Sequence, residues 1–271
     1  MNGKELVKTL RNGKRAYGTL LVSSSPFWPK VVAPLDLDFV FIDTEHIPLN
    51  RSELSWMCQT YRALRLAPLV RIPSPSPYEA TAVLDGGAEG VIAPYIESVA
   101  QVKQLVGAVK YRPLKGEKLQ QLLDDSGSVE PELSAYMQQH NAGNVLVVNI
   151  ESVPAMKALD EILAVEGLDA VLIGPHDLSC SLGIPEQYNH PRFVAAVEEI
   201  IEKARRAGKG SGIHLIFPEL DQEVAWIKQG ANLIVHSADA IAFRQTIQAE
   251  LSQLKQMLGE EGAASDESIN I

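Results

Sequence analysis

Residues 144–177 read NVLVVNIESVPAMKALDEILAVEGLDAVLIGPHD. Two short runs in this stretch, 144–151 and 170–175, are apolar almost without interruption, and each ends in polar residues. Between them, residues 153–165 carry apolar side chains at three- and four-residue spacing, which predicts an amphipathic helix. Continuous apolar runs are typical of parallel strands that are covered by helices on both faces. The stretch therefore predicts one strand–helix–strand step of a parallel sheet.

The same alternation continues in both directions along the chain. Runs that predict strands cover residues 16–23, 39–44, 68–72, 90–95, 144–151, 170–175, 212–217 and 233–237. Stretches that predict helices cover residues 49–65, 77–86, 98–111, 153–165, 191–207 and 219–229. Eight strand–helix units in about 250 residues favour a (β/α)8 TIM barrel. A doubly wound sheet is the alternative, but it more often has roughly five to seven strands.

The composition sets the broad class of the protein. No linker or composition shift divides the chain, so we expect a single barrel domain over residues 1–258 and a polar, flexible tail over residues 259–271. The 24 Lys and Arg against 34 Asp and Glu give a net charge of -10, which argues against a nucleic-acid partner. No apolar run is long enough to span a membrane. The N-terminus lacks the apolar core of a signal peptide. We therefore expect a cytoplasmic protein, and the two cysteines, Cys58 and Cys180, are too few for a disulfide framework.

Polar side chains gather where the predicted strands end, which is where (β/α)8 barrels carry their chemistry. The residues at these strand ends are Asp43, Glu45, His46, Arg71, Asn149, Glu151, His176 and Asp177. Glu151 and Asp177 are 26 residues apart, so they would lie on neighbouring strand ends. Two carboxylates that converge there could hold a hard cation such as Mg²⁺ or Mn²⁺. The alternative is a helix cap for Asp177 and a solvated carboxylate for Glu151.

Arg71 and His46 each allow two interpretations. Arg71 lies among apolar neighbours, and a buried guanidinium needs a partner or an anionic ligand. It would either bind an anionic substrate or form a structural ion pair with Asp43 or Glu45. His46, oriented by one of these carboxylates, could be a general base. It could equally be a loop histidine with no chemical role.

Three further histidines, His176, His214 and His236, fall near three different strand ends. They could suggest a histidine metal site, but the sequence H-E-x-x-H is absent. His214 and His236 lie within apolar runs, which favours satisfied core histidines. Cys180 has no second cysteine at metal-ligand spacing, so we interpret it as a small apolar filler.

One segment, residues 112–143, interrupts the alternation of strands and helices between the fourth and fifth predicted strands. It is polar and contains Lys115, Lys118 and the acidic pair Asp124 and Asp125. We expect a loop or lid at the catalytic end of the barrel. Its lysines would either meet an anionic substrate or lie on a solvated face.

The residues at the strand ends also carry a resemblance to a known family. Phe41-Ile-Asp-Thr-Glu-His46, Leu69-Val-Arg-Ile72, Val148-Asn-Ile-Glu-Ser152 and Ile173-Gly-Pro-His-Asp-Leu-Ser179 resemble the motifs of the metal-dependent HpcH/HpaI aldolases. The likeness extends over residues 5–255, with the motifs in order. It implies a (β/α)8 barrel with a C-terminal helix exchanged between subunits, in a homo-oligomer that is a hexamer or a dimer. It also implies the making or breaking of carbon–carbon bonds next to pyruvate-like 2-oxo acids, with an aldehyde or an acyl-CoA as the other reactant.

The resemblance implies a role for individual residues. Glu151 and Asp177 would bind the divalent cation, and Arg71 would contact the 2-oxo acid. His46, held by Asp43, would be the acid/base group. The substrate pocket would be completed by Ser23, Asn149, Pro175 and His176.

The sequence departs from the family pattern at two places. Residues 111–118 read YRPLKGEK where the family commonly has Arg-Tyr-Pro-Pro-x-Gly-x-Arg-Gly, and Asn149 replaces a frequent Gln. In the family this segment helps to shape the second-substrate pocket, so the departure argues against an ordinary sugar-acid aldolase. The first of three hypotheses is a metal-dependent 2-oxo acid lyase that acts by retro-aldol cleavage or its reverse. The second is a siderophore-pathway enzyme that forms citrate from oxaloacetate and acetyl-CoA, and the third is a catalytically silent barrel that binds a small acid.

Overall fold

Eight parallel strands close into a barrel in which neighbours along the chain are paired and the last strand pairs with the first. This computed structural model describes residues 1–124, 126–215 and 220–260. The strands are β1 (Ala16–Leu21), β2 (Phe39–Asp43), β3 (Ala67–Arg71), β4 (Gly90–Ala93), β5 (Val145–Ile150), β6 (Ala170–Ile173), β7 (Gly210–Leu215) and β8 (Leu233–Ala238). The closed parallel barrel confirms the predicted (β/α)8 fold and excludes the doubly wound sheet.

Helices follow the strands around the outside of the barrel. They are α1 (Gly3–Arg11), α2 (Trp28–Val32), α3 (Arg51–Ala63), α4 (Pro77–Asp85), α5 (Val99–Lys110), α6 (Gly116–Leu123), α7 (Pro131–His140), α8 (Val153–Lys157), α9 (Leu159–Leu163), α10 (Pro175–Ser181), α11 (Pro191–Arg206), α12 (Leu220–Gln229) and α13 (Asp239–Leu258). A 3₁₀ turn, Ala33–Leu35, follows α2.

The predicted elements agree with the structure except at their ends. Most predicted strands extend one or two residues too far, because the polar residues that follow each apolar run leave the ladder and form the next loop. The predicted helix over 153–165 is divided at Ala158 into α8 and α9. Residues 216–217 of the seventh predicted strand and Glu219 of the next helix lie outside the described residues, as do Asp125 and the tail from residue 261.

Alternating strand residues build two apolar layers. Side chains such as Leu69 and Val147 point into the barrel and pack on one another. Their neighbours Val70 and Val148 point outward into the layer covered by helices. Leu6 of α1 belongs to the interior cluster, so this helix closes the N-terminal end of the barrel. The opposite end is left open for a site.

The N-terminal end of the barrel is held by a charged cluster around Asp169, whose side chain is fully buried. Arg11 Nη2 lies 2.9 Å from Asp169 Oδ1, and Lys110 Nζ pairs with Oδ2. The backbone N–H of Leu146 also donates to Oδ2, at 2.9 Å. The cluster joins α1, α5 and the starts of β5 and β6. Charged groups at this end of a barrel contribute to stability rather than to chemistry.

The prediction that residues 112–143 form a loop or lid at the catalytic end is wrong. Because α5 runs back from β4, the segment begins at the N-terminal end of the barrel. It also ends there, since Asn141 Nδ2 donates to the backbone oxygens of Lys110 and Arg112 at 2.9 and 2.8 Å. The segment forms α6 and α7 on the outside of α5, and Lys118 pairs with Glu130 of the same segment at 2.7 Å.

The last helix, α13, packs on the barrel only at its beginning. Ile241 is its single buried residue, and the helix leaves large apolar side chains exposed. These are Phe243, Ile247, Leu251, Leu254, Met257 and Leu258. None of the helices in the described ranges combines the length and the apolar character that crossing a membrane requires.

Candidate active site

The ends of β2 and β3 bring Asp43 and Arg71 together. The two residues are register partners in the barrel, and Arg71 donates from Nε to Asp43 Oδ1 at 2.8 Å and from Nη2 to Oδ2 at 2.6 Å. Arg71 Nε also lies 3.1 Å from Glu45 Oε2. The ion pair that the sequence allowed for Arg71 is therefore present with both carboxylates. These contacts engage Nε and Nη2, and no hydrogen bond or ion pair of Nη1 is present among the described residues.

Both members of this pair are charged at neutral pH. Burial alone would raise the pKa of Asp43, but the hydrogen bonds and the positive charge of Arg71 outweigh it and hold the pKa below its ordinary value. Burial alone would lower the pKa of Arg71, but the hydrogen bonds and charge of Asp43 raise it. A fixed positive charge therefore lies beside a fixed negative charge at the open end of the barrel.

His46 lies at the rim of this cluster and is half exposed. Asp43 makes no direct hydrogen bond with His46, since both oxygens of Asp43 accept from Arg71 and Oδ1 also accepts from the N–H of Glu45 at 3.0 Å. The role of Asp43 in holding His46 stays a prediction. His46 Nε2 instead lies 3.8 Å from Glu45 Oε2, beyond hydrogen-bond distance. Its imidazole is thus accessible and next to a carboxylate.

Glu151 is the buried carboxylate of the site, which excludes its interpretation as a solvated side chain. It is 5% exposed, and two donors fix it: the backbone N–H of Tyr95 to Oε1 at 2.7 Å and Asn149 Nδ2 to Oε2 at 2.9 Å. Burial raises its pKa, and the negative charge of Asp177 raises it further. A buried carboxylate with a raised pKa is typical of a functional site.

Asp177 lies in the first turn of α10, next to Glu151. It does not cap that helix, because the N-cap residue is Gly174 and no side chain caps it. Gly174 also leaves the room that Glu151 occupies: a Cβ at this position would lie 2.5 Å from Glu151 Oε2. The turn into α10 therefore brings one exposed and one buried carboxylate together.

This acidic pair fits a hard divalent cation. Its donors are all oxygens, and the nearby Asn149 Oδ1 is buried without a hydrogen-bond partner. In the ranges that the structure describes, no three His, Cys, Asp or Glu side chains are grouped to hold a metal ion. A cation at Glu151 and Asp177 would therefore take its other ligands from water and substrate, as Mg²⁺ does.

Tyr95 is a site residue that the sequence interpretation missed. It follows β4, and the nearby carboxylate of Glu45, burial and the negative charges of Asp177 and Glu151 raise the pKa of its phenol to about 12. Its backbone has a φ of 56°, in the left-handed region. At the other strand ends the signal is a charged residue or a histidine, whereas here it is an aromatic residue, Tyr95, at the last position of the fourth predicted run.

The remaining histidines do not form a metal cluster among the described residues. His214 is buried inside the barrel with its ring 5.1 Å from that of Phe41, and burial together with the charge of Arg71 lowers its pKa to about 3. His236 is half exposed and pairs with Glu223 at 2.8 Å, so its interpretation as a core histidine is wrong. His176 is exposed, 3.7 Å from Glu186.

The other predicted residues lie near the same end of the barrel. Pro175 and His176 open α10, next to Asp177. The N–H of Ser23, just after β1, donates to Asp239 at 3.0 Å, which ties this loop to the start of α13. Cys180 is exposed and its Sγ lies 3.9 Å from His176 Nε2, so its interpretation as an apolar filler is wrong.

The fold and the site together define a (β/α)8-barrel enzyme whose reacting end combines an acidic pair with a fixed arginine. Residues 17–246 match the family model of the HpcH/HpaI aldolase/citrate lyase family, and the chain belongs to this family. The protein is accordingly an enzyme of the carbon–carbon lyase type.

Relatives and solved structures cover nearly the whole chain. The 2-keto-3-deoxy-L-rhamnonate aldolase of Escherichia coli (strain K12) is 32% identical over 247 residues, which is 91% of this chain and 91% of the relative. The HpcH/HpaI aldolase from Desulfitobacterium hafniense DCB-2 has a TM-score of 0.79 at 29% identity, over 92% of this chain and 96% of that one. Citrate synthase SbnG has a TM-score of 0.79 at 30% identity, over 94% and 99%.

Proposed function

We propose that this protein is a divalent-metal-dependent lyase that cleaves a 4-hydroxy-2-oxo acid into a pyruvate-like acid and an aldehyde, or catalyses the reverse. The observation that carries the proposal is the convergence of Glu151 and Asp177 beside Arg71 at the open end of the barrel. Family membership supports it, because the family generally depends on divalent metals. The names of the relatives support an aldol substrate.

Glu151 and Asp177 would hold Mg²⁺ or Mn²⁺. When bound, the cation supplies a Lewis acid that withdraws electron density from the 2-oxo group of the substrate. Asn149 and the N–H of Tyr95 orient Glu151 for this role. Burial and the negative charge of Asp177 raise the pKa of Glu151, and a cation bound beside it would favour its ionised form.

Arg71 would stabilise the developing negative charge, and His46 would accept the proton. Arg71, fixed by Asp43 and Glu45, presents Nη1 to the 2-oxo acid and stabilises the negative charge that develops when the carbon–carbon bond breaks. His46 accepts the proton of the 4-hydroxyl as that oxygen becomes a carbonyl. Its exposed imidazole is accessible to a substrate that enters from solvent.

The second-substrate side of the pocket is proposed to include Ser23, Asn149, Pro175 and His176. Pro175 and His176 lie directly beside Asp177 in α10, and Ser23 lies at the end of β1. The described part of the segment 112–143 begins and ends at the opposite end of the barrel, as the contacts of Asn141 with Lys110 and Arg112 show. Specificity therefore depends on the short loops after the strands.

A second candidate is citrate formation from oxaloacetate and acetyl-CoA. The observation that favours it is the similarity to citrate synthase SbnG, at 30% identity and a TM-score of 0.79. The same acidic pair and arginine would bind oxaloacetate, and the acyl group would replace the aldehyde.

One experiment separates the two candidates. The purified protein is incubated with Mn²⁺ and either 2-keto-3-deoxy-L-rhamnonate or oxaloacetate plus acetyl-CoA, and pyruvate, free thiol and citrate are measured. Pyruvate from the first mixture without thiol from the second supports the lyase. Thiol and citrate from the second mixture, without cleavage of the first, would replace it by the condensing enzyme.

We also propose that α13 is exchanged with a second copy of the chain in a homo-oligomer, either a hexamer or a dimer. Its exposed apolar side chains, including Phe243 at 65% and Met257 at 81%, would be covered by the second copy. The mass in solution tests this. We expect the mass to be a multiple of the 29.5 kDa of one chain and to fall when Leu251 and Leu254 are changed to Glu. A monomeric wild type would contradict the proposal.

A cytoplasmic location stays a prediction.

A further inference from the structure

His176 and Cys180 lie one helical turn apart on the exposed side of α10. Because residues i and i+4 of a helix are neighbours on its surface, the two side chains meet, and Cys180 Sγ lies 3.9 Å from His176 Nε2. The side chain of His176 is 60% exposed, and Cys180 is exposed as well. A thiol and an imidazole nitrogen, two of the groups that bind zinc-like cations, are therefore together at a surface that a dissolved ion can reach.

A carboxylate lies on the other side of the imidazole ring. Glu186 Oε1 is 3.7 Å from His176 Nδ1, so the ring has the thiol beside one nitrogen and the carboxylate beside the other. A histidine that binds a metal through one nitrogen usually directs its other nitrogen at a carboxylate, a backbone carbonyl or water, which fixes the ring. This arrangement leaves Nε2, the nitrogen next to the thiol, for a cation.

A buried hydroxyl fixes the position of Glu186 relative to α10. Ser179 Oγ donates to the backbone oxygen of His176 at 2.7 Å and accepts from the N–H of Glu186 at 3.0 Å, and Ser179 is fully buried. The N–H of Ile184 also donates to the backbone oxygen of Ser179, at 2.9 Å. The backbone that carries Glu186 is thus held against the helix that carries His176 and Cys180, so the fold itself brings the three side chains together.

The distance between sulfur and nitrogen suits joint binding of one ion. Zinc binds thiolate sulfur at about 2.3 Å and imidazole nitrogen at about 2.0–2.1 Å, in a tetrahedral arrangement. These values place the two ligand atoms about 3.5–3.6 Å apart. The 3.9 Å between Cys180 Sγ and His176 Nε2 is slightly longer, and a small rotation of either exposed side chain closes the difference.

The donor atoms of this pair differ from those of the acidic pair. Glu151 and Asp177 offer oxygen atoms, which suit Mg²⁺ and Mn²⁺, whereas sulfur and imidazole nitrogen favour Zn²⁺ and related ions. His176 directly precedes Asp177 in α10, so the two pairs are neighbours in the fold. Ligand chemistry would therefore direct two different cations to adjacent places on one short helix.

We propose that His176 and Cys180 form a second cation site, which takes a thiophilic divalent ion such as Zn²⁺ through Nε2 and the thiolate sulfur. Binding replaces the thiol proton, which passes to solvent, and water molecules complete the coordination. Glu186 is a positioning residue that orients the imidazole. Resident zinc sites have more protein ligands than this pair supplies, so binding is weaker and reversible. The inference does not depend on the reaction that the protein catalyses.

Co²⁺, which replaces Zn²⁺ in such sites and absorbs light, tests the proposal in the full chain. A thiolate bound to Co²⁺ gives a sulfur-to-metal charge-transfer band in the near ultraviolet, which the oxygen ligands of the acidic pair do not give. We expect this band in the wild type, its loss on addition of Zn²⁺, and no loss with excess Mg²⁺. Cys180→Ser should abolish the band, and His176→Asn and Glu186→Gln should each weaken Co²⁺ binding by about tenfold or more.

Two further variants exclude other origins of the band. His236→Asn removes a histidine that also faces a carboxylate, since His236 Nδ1 lies 2.8 Å from Glu223 Oε2, but this histidine belongs to β8 and not to α10. Glu151→Gln changes the proposed site for Mg²⁺. Both variants should keep the charge-transfer band and the Co²⁺ affinity of the wild type.

The proposal is overturned if the wild type lacks the band, if Cys180→Ser keeps it, or if His176→Asn binds Co²⁺ as tightly as the wild type. Loss of the band in Glu151→Gln would also overturn it, because the thiol would then belong to the acidic site. Unchanged binding in Glu186→Gln would overturn the positioning role of Glu186 alone. A protein that shows the band but no lyase activity would overturn the proposed function and leave this site intact.

Discussion

Arg71 and Asp43 face each other across adjacent strands and form a two-pronged ion pair, with nitrogen–oxygen distances of 2.8 and 2.6 Å. The pair is made at the last paired positions of β2 and β3, where the barrel opens. The side chain of Asp43 is fully buried and that of Arg71 is 12% exposed. Asp43, which the sequence offered as a structural partner of Arg71, thus orients the guanidinium, and this ion pair is compatible with the proposed role of Arg71 in substrate binding.

Replacing Arg71 by Lys separates charge from geometry. Lysine keeps the positive charge but cannot bind a carboxylate in two-pronged fashion. We expect kcat to fall by about 10²–10³, because the charge is no longer fixed where negative charge develops. Arg71→Ala should lose as much activity and in addition destabilise the fold by about 3–5 kcal/mol, since it leaves Asp43 buried without its partner. Full activity in Arg71→Lys, measured as pyruvate release beside the melting temperature, would show that the fixed geometry is unnecessary.

The ion pair also predicts how stability changes in acid. The pKa of Asp43 in the folded chain lies below its ordinary value of 3.8, so its ion pair stabilises the fold at neutral pH. This contribution is lost as the pH falls below 3.8 and through the folded pKa. Urea unfolding of the wild type and Asp43→Asn should therefore differ at pH 7 and converge in strong acid. Asp160→Asn, at a surface pair that is 75% exposed on the Asp side, should differ little at either pH. A constant gap for Asp43→Asn would contradict the assignment.

Gly174→Ala tests the position of Glu151 by adding one methyl group. The new Cβ would lie 2.5 Å from Glu151 Oε2, so the carboxylate must move. The backbone φ of Gly174 is -86°, which alanine adopts without strain, so the effect is confined to the contact. We expect weaker Mn²⁺ binding by titration calorimetry and a loss of turnover, with little change in melting temperature. Gly107→Ala, where the Cβ would meet flexible Leu side chains at 3.2 Å or more, is the control and should bind Mn²⁺ normally.

Asp169→Ala should affect stability and leave the chemistry intact. It removes a buried carboxylate that faces Arg11 and Lys110 at the N-terminal end of the barrel. Loss of one partner from such a buried network costs about 3–5 kcal/mol. Denaturant unfolding should show this loss. The kcat, measured at a temperature about 20 °C lower than the melting midpoint, should stay within about twofold of the wild-type value. A selective loss of kcat would mean that this end of the barrel contributes to the reaction.

The fold could be predicted from the sequence because most of the strands are buried on both faces and therefore read as largely apolar runs. The acidic pair and Arg71 could be located because parallel strands bring their carboxyl ends together. The location of residues 112–143 was predicted wrongly although the information was present. The helix predicted over 98–111 already returns the chain to the N-terminal end, so an insertion after it cannot be a loop of the catalytic end.

Other features depend on side-chain directions that periodicity does not specify. The contact of the Tyr95 backbone N–H with Glu151 is made from a left-handed backbone at a residue that is not glycine. Glu45 lies 3.1 Å from Arg71 Nε, and no spacing rule distinguishes it from the nearby Asp43 as a partner of Arg71. The exposure of Cys180 depends on how the short helix α10 is rotated on the barrel.

The proposed metal site is tested most directly by the metal dependence of pyruvate formation in the wild type, Glu151→Gln and Asp177→Asn. We expect a chelator to abolish activity in the wild type and Mn²⁺ to restore it, and we expect both variants to stay at least about 10²-fold slower at every Mn²⁺ concentration. His176→Asn, on the same helix as Asp177, should still respond to Mn²⁺. Wild-type activity that survives the chelator, or a variant that retains full metal-dependent turnover, would contradict the central claim that these two carboxylates hold the catalytic cation.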